Sequence, residues 1–149
     1  MKILDFAIDV EQAEQDHYHR LSECTENQSV KAIFQMIATK EKLLLDKLRE
    51  LKRNPRHCQQ EITRAPQYRK LESNQNASCE ILHQQEVRDD LSSYSYILRT
   101  EQLVFNLYTK LKESIDDPQA QYLLDLLLNE KRQEIDRIST LYDVARIVQ

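Results

Sequence analysis

Apolar residues recur every three or four positions through most of this chain, which is the period of a helix with one buried face. Short polar breaks interrupt the pattern at residues 25–28 and 116–118, and Asn54 and Pro55 end the second apolar stretch. The pattern predicts four long helices, over residues 2–24, 30–53, 91–114 and 119–147. We therefore expect an all-α protein.

The segment between the second and third helices departs from this pattern. Residues 54–89 are mostly polar and carry no sustained helical period. A connection of this length can travel from one end of a helical bundle to the other, so the helices on either side of it can run in the same direction. The chain is predicted to be one four-helix domain over residues 1–149, with a hairpin at 2–53, a crossover at 54–89 and a hairpin at 90–147.

The two predicted hairpins repeat the same order of residues. Residues 4–51 and 94–141 each hold a glutamate, a tyrosine seven positions later, a polar break and a second glutamate inside an apolar run. These markers are Glu11, Tyr18 and Glu41 in the first copy, and Glu101, Tyr108 and Glu130 in the second. The two glutamates are 30 residues apart in the first copy and 29 in the second.

Helical geometry predicts that all four glutamates point toward the core. Glu41 shares a face with Ile37, Leu44 and Leu48, because residues three, four and seven positions apart lie on one side of a helix. Spacings of four, eleven and fourteen residues, which also fall on one side of a helix, place Glu130 with Leu126, Leu141 and Val144. An unpaired buried carboxylate costs several kcal/mol, so each glutamate needs a cation, a proton or a hydrogen-bond partner.

Composition narrows the function classes. The net charge of −4 leaves no general footprint for nucleic acid, and the absence of glycine excludes a glycine-rich phosphate loop. No apolar run approaches the length of a membrane span, and the first residues do not resemble a signal peptide. Three irregularly spaced cysteines do not indicate a disulfide framework. We expect a soluble protein in the reducing cytoplasm.

The repeated motif resembles the rubrerythrin branch of the ferritin-like superfamily. The likeness rests on EQAEQDHY from Glu11 to Tyr18 and on EQLVFNLY from Glu101 to Tyr108, each with a glutamate seven residues before an aromatic. It covers both hairpins and leaves out the crossover. The resemblance implies a ferritin-like four-helix bundle with a di-iron carboxylate site in its interior.

This chain departs from the family at the second half of each motif. The family places a histidine three residues after the second glutamate, but Leu44 follows Glu41 and Gln133 follows Glu130 at that spacing. The paired Cys-x-x-Cys motifs of a rubredoxin module are also absent. Leucine cannot ligate a metal, and an amide oxygen is a poorer iron ligand than imidazole. The implied oxidase or peroxidase activity should be weak or missing, and no catalytic residue can be named.

Two functions remain open from the sequence. In the first, Glu11, Glu41, Glu101 and Glu130 bind a divalent metal, Fe or Mn, and Glu14, Gln133 or water completes the ligand set. In the second, the bundle is metal-free and serves as a structural or partner-binding scaffold. Arg137, two turns beyond Glu130, would then neutralise the carboxylates.

The remaining expectations concern ligands, assembly and one side chain. No haem, flavin or nucleotide is expected, and neither nucleic acid nor a membrane is an expected partner. A homodimer and an unidentified protein partner both stay open. His17 lies at the edge of the first helix and is expected to be a surface residue.

Overall fold

The computed structural model describes residues 1–63 and 87–148, and these residues form four α-helices. The helices are α1 Ile3–Cys24, α2 Gln28–Arg53, α3 Asp90–Ser114 and α4 Pro118–Val148. Within the described ranges there is no named strand, although Lys2 and Glu61 form an isolated antiparallel bridge. Over these ranges the predicted all-α architecture and its four helices are confirmed, and each helix begins and ends close to its predicted bounds.

Side-chain caps fix where two of the helices begin. The Asn27 side chain accepts hydrogen bonds from the backbone N–H groups of Ser29 and Val30, which starts α2. The Asp89 side chain caps α3 by accepting the backbone N–H of Ser92. The Ser92 hydroxyl in turn accepts the backbone N–H of Asp89, which completes a capping box. Each cap satisfies amide groups that have no partner inside the helix.

The apolar core consists of two clusters, one toward each end of the bundle. The first cluster joins the amino-terminal half of α1, the carboxyl-terminal halves of α2 and α3, and the beginning of α4; among its members are Phe6, Leu48, Leu111 and Leu124. The second joins the opposite halves of the same helices; among its members are Leu21, Phe34, Ile97 and Ile138. The amino-terminal halves of α2 and α3 therefore lie in the same cluster.

The described part of the connector lies against the start of α1. The backbone N–H of Ile3 donates to the carbonyl of Gln60 at 2.8 Å, and that of Ile62 donates to the carbonyl of Met1 at 2.9 Å. Most of the predicted crossover, residues 64–86, lies outside the described residues.

Two further expectations concern cysteines and membranes. Cys24, at the end of α1, is disulfide-bonded, which does not fit the expectation of reduced cysteines, whereas Cys58 is a buried free thiol. None of the four described helices combines the length and the apolar character that crossing a membrane would require.

Candidate functional site

A polar layer centred on a buried lysine lies in the interior of the bundle. Lys131 of α4 is 1% exposed, and its Nζ contacts one carboxylate oxygen from each of four glutamates. Nζ lies 2.9 Å from Glu14, 2.9 Å from Glu41 and 3.1 Å from Glu101, and it also contacts Glu11. We call these five residues the lysine–carboxylate cluster. All four helices contribute to it.

Two tyrosines connect the cluster crosswise between α1 and α3. The Tyr18 hydroxyl donates to Glu101 Oε1 at 3.1 Å, and the Tyr108 hydroxyl donates to Glu11 Oε2 at 2.7 Å. Burial, followed by nearby carboxylates, raises the pKa of both hydroxyls well above its ordinary value. Both tyrosines therefore keep their protons and act as hydrogen-bond donors.

One ammonium cannot balance four ionised carboxylates, and two of the glutamates respond by retaining protons. Burial is the main cause that raises the pKa of Glu14 and of Glu41, with repulsion from Glu101 and from Glu14, respectively, as the next cause. A proton on Glu14 would lie close to the Glu101 carboxylate, whose charge is one of the causes that raise the pKa of Glu14. The cluster thus approaches charge balance without any external ion.

Lys131 keeps its charge in this setting. Burial alone would lower the pKa of its ammonium, but the four surrounding carboxylates together raise that pKa well above the ordinary lysine value. An ammonium with several carboxylate acceptors is also well satisfied in hydrogen bonding. Lys131 is therefore the cation that the buried glutamates require.

The predicted metal site coincides with the position of this ammonium. Oxygen atoms of Glu11, Glu14 and Glu41 lie within 4.8 Å of one another and could act together as ligands. The Lys131 ammonium contacts all three carboxylates, however, and a divalent cation at the same point would be repelled by it. Leu44 lies in the apolar core beside them instead of an imidazole. As arranged, these residues do not fit the di-iron site that the resemblance implies.

The prediction that Glu130 faces the core is wrong. Its side chain is 31% exposed and forms an ion pair with Lys47 at 2.9 Å on the surface. Gln133 is exposed as well. The cause is a shift of one position in the buried face of α4, which runs through Leu124, Leu127, Lys131 and Ile138. Because one residue rotates a helix by 100°, this shift turns the lysine inward and its neighbour outward.

The metal-free hypothesis predicted that Arg137 neutralises the carboxylates, but Arg137 pairs with a different residue. Its Nη2 lies 2.5 Å from Glu134, and the two side chains are 34% and 12% exposed. Burial raises the pKa of Glu134, while the bond to Arg137 acts in the opposite direction. Glu101 and Lys131 also influence that pKa, so Glu134 lies beside the cluster. Sequence reasoning had not singled out Glu134.

A strict register between the repeats identifies the residue that was missed. Glu11 and Glu101 are ninety positions apart, and so are Tyr18 and Tyr108. The same interval of ninety positions matches Glu41 with Lys131. It also matches Leu44 with Glu134. Matching Glu41 with Glu130 instead requires a spacing that is one residue shorter in the second copy. That irregularity is the sequence signal that Lys131, and not Glu130, occupies the matched position.

A second polar pair lies within the aromatic part of the core, beside Tyr18. His17 Nε2 lies 2.5 Å from the Tyr96 hydroxyl, and both side chains are buried. Burial, with a smaller contribution from Arg20, lowers the pKa of His17 to about 4. His17 is therefore neutral at physiological pH, and the expectation that it lies on the surface is wrong.

The cluster is closed to solvent. Its five side chains are between 0% and 4% exposed, so an external molecule cannot reach either the ammonium or the carboxylates in this structure. The chemistry that the arrangement supports is internal charge compensation. No protein-family model, curated protein or solved structure matches this chain.

Proposed function

We propose that this chain is a rubrerythrin-type, ferritin-like bundle that works without a metal, as a structural or partner-binding scaffold and not as an oxidase. The observation that carries the proposal is the contact of Lys131 Nζ with all four buried glutamates. A covalently attached ammonium supplies the positive charge that a bound ion would otherwise supply.

The arrangement of the helices supports the ferritin-like part of the proposal. The amino-terminal halves of α2 and α3 share one apolar cluster and their carboxyl-terminal halves share the other. Such sharing is expected when two helices run in the same direction and a long crossover joins them. The internal repeat, with Glu11 matched to Glu101 and Tyr18 to Tyr108, adds a second, independent argument from the sequence.

A scaffold role also draws support from the far end of α4. Val144, Ile147 and Val148 are 54%, 80% and 78% exposed, and their spacing places them on one side of the helix. If this stripe mediates self-association, light scattering should give the molar mass of a dimer, and Ile147→Asp should return it to that of a monomer. A monomeric mass for the unmodified protein would exclude self-association through this stripe.

A divalent metal is the second candidate, and one observation favours it. Glu11, Glu14 and Glu41 offer oxygen atoms within 4.8 Å of one another, which suits a hard cation. Buried oxygens of Glu14 and Glu41 also lack a hydrogen-bond partner among the described residues. Metal binding would require the Lys131 ammonium to leave its position or to lose its proton.

Metal content and thermal melting separate the two candidates. We expect protein purified without a chelator to contain no stoichiometric Fe or Mn, and its melting temperature to be unchanged by added Mn(II). The variant Lys131→Glu should acquire metal dependence, because its carboxylates then lack a cation. At a hundredfold excess over Kd, a bound ion stabilises the fold by about 2.7 kcal/mol.

The unmodified protein decides between the candidates even if Lys131→Glu does not fold. Stoichiometric metal in the purified protein, together with a melting temperature that rises with Mn(II), would replace the metal-free proposal with the metal-binding one. Lys47→Glu, which changes a surface lysine that is paired with Glu130, is the matched control and should gain no metal dependence.

A further inference from the structure

A cavity of about 300 Å³ opens at the end of the bundle where α2 finishes and α4 begins. Its walls are apolar and include Leu4, Leu51 and Leu123, and the exposed ring of Tyr122 lies at its edge. The buried thiol of Cys58 also lines it. The volume is at the lower end of the range for small-molecule sites, which are typically lined by apolar side chains with a few polar groups.

Most polar groups around this cavity are already engaged. His57 Nδ1 donates to the Asn54 carbonyl at 2.8 Å, and its Nε2 accepts from the Gln59 side chain at 2.9 Å. Arg56 differs from them, because its guanidinium forms no ion pair or hydrogen bond with any described residue, although it lines the cavity. Neighbouring Arg53, in contrast, is paired with Glu50.

We propose that this cavity binds a small monocarboxylate with an apolar body, such as a medium-chain fatty acid. The apolar part would lie against Leu4, Leu51 and Leu123, and the carboxylate would pair with Arg56 at the opening. A guanidinium favours carboxylates over other small polar groups because it offers a fork of N–H donors that matches two oxygens. The site is separate from the lysine–carboxylate cluster and does not depend on the proposed function.

Asp117, which precedes the cavity-lining Pro118, does not occupy the proposed position of the ligand. Asp117 is close enough to Cys58 to affect the pKa of its thiol, which burial raises. The Asp117 carboxylate is already engaged, because its Oδ2 accepts the backbone N–H of Ala120 at 2.9 Å in the first turn of α4. Asp117 is not among the residues that line the cavity.

Calorimetric titration with octanoate tests the proposal. We expect saturable binding of one octanoate per chain, and Arg56→Gln should weaken it about fivefold, the size expected for a partly exposed ion pair. Arg53→Gln is the matched control and should bind octanoate as the unmodified protein does. Octanol, which has no charge, should bind equally to the unmodified protein and to the Arg56→Gln variant. Leu51→Trp should abolish binding by filling the cavity.

Alkylation of Cys58 gives a second measurement at the cavity itself. Octanoate should slow the reaction of iodoacetamide at this thiol, read by mass spectrometry of the peptide that contains it, and should not do so in Leu51→Trp. Absence of saturable octanoate binding would overturn the proposal. Equal affinity of octanoate for the unmodified protein and for Arg56→Gln would overturn the role of the guanidinium and with it the monocarboxylate assignment.

Discussion

The two repeats of this protein share a buried glutamate and a buried tyrosine, and at one other buried position they differ in the sign of the charge. Glu11 and Glu101 correspond, and the tyrosine of each repeat donates to the glutamate of the other. At the next matched position, the first repeat has Glu41 and the second has Lys131. The shared scaffold brings the carboxylates together, and this one difference determines what neutralises them.

A second difference follows one turn later. Leu44 of the first repeat packs in the apolar core, whereas the matched Glu134 of the second pairs with Arg137 near the surface. At this matched position the first repeat is therefore apolar, whereas the second carries an ion pair beside the lysine–carboxylate cluster.

Removing the lysine should have the largest effect. Lys131→Gln leaves four buried carboxylates without a cation, and breaking a buried ion pair on one side typically destabilises a protein by about 3–5 kcal/mol. Urea unfolding at pH 7.5 measures the change. Lys47→Gln removes a surface ion pair with Glu130 and should cost less than about 1 kcal/mol. A similar loss for both variants would contradict the central role of Lys131.

The pH dependence of stability should reveal the retained protons. The pKa values of Glu14 and Glu41 are raised in the folded state, so it binds protons that the unfolded chain has already lost. The free energy of unfolding should therefore fall as pH rises above the ordinary glutamate pKa of about 4.3. Each such proton contributes a slope of about 1.4 kcal/mol per pH unit.

His17 should oppose this trend over part of the range. Its pKa is lowered to about 4 in the folded state, so below the ordinary histidine pKa of about 6.5 the unfolded chain binds the extra proton. The free energy of unfolding should therefore fall only gently between about pH 4.5 and pH 6.5, and more steeply above pH 6.5. Urea unfolding across pH 5–8 measures it, and Glu14→Gln should reduce the slope above 6.5. A stability that rises with pH above that point would contradict the assigned protons.

The two tyrosines provide the smallest and most symmetric test. Tyr18→Phe and Tyr108→Phe each remove a donor to a buried carboxylate, which should cost about 1–3 kcal/mol. Tyr108→Phe should cost more, because its hydrogen bond to Glu11 is 2.7 Å long and that of Tyr18 to Glu101 is 3.1 Å. Thermal unfolding of both variants measures the difference, and a costlier loss at Tyr18 would show that bond length is not the deciding factor.

Much of this architecture could be predicted from the sequence, because helical periodicity and turn residues are local signals. The four helices follow from the apolar period, and the inward direction of Glu11, Glu41 and Glu101 follows from their apolar neighbours. Lys131 could not be recognised in the same way, since lysine is rarely buried and a charged residue in a helix normally lies on the surface. Its partners lie on three other helices, and only the packing of the bundle brings them together.

The error at Glu130 has a related cause. The motif requires a glutamate in an apolar run, and Glu130 meets that requirement only with a spacing one residue shorter than in the first copy. The apolar residues of α4 allow either face, because Leu123, Leu124, Leu126, Leu127 and Leu128 surround the helix on several sides. The exposed fraction of each side chain distinguishes the two faces, and that quantity depends on the neighbouring helices.

A counter-ion that belongs to the polypeptide has consequences for supply and for folding. A bound metal must be acquired from the surroundings and can be removed by a chelator, but the ammonium of Lys131 is present at a fixed stoichiometry as soon as the chain is synthesised. Its local concentration near the glutamates is set by chain connectivity, as for any linked ligand. If the metal-free proposal holds, metal scarcity would neither delay the folding of this protein nor inactivate it.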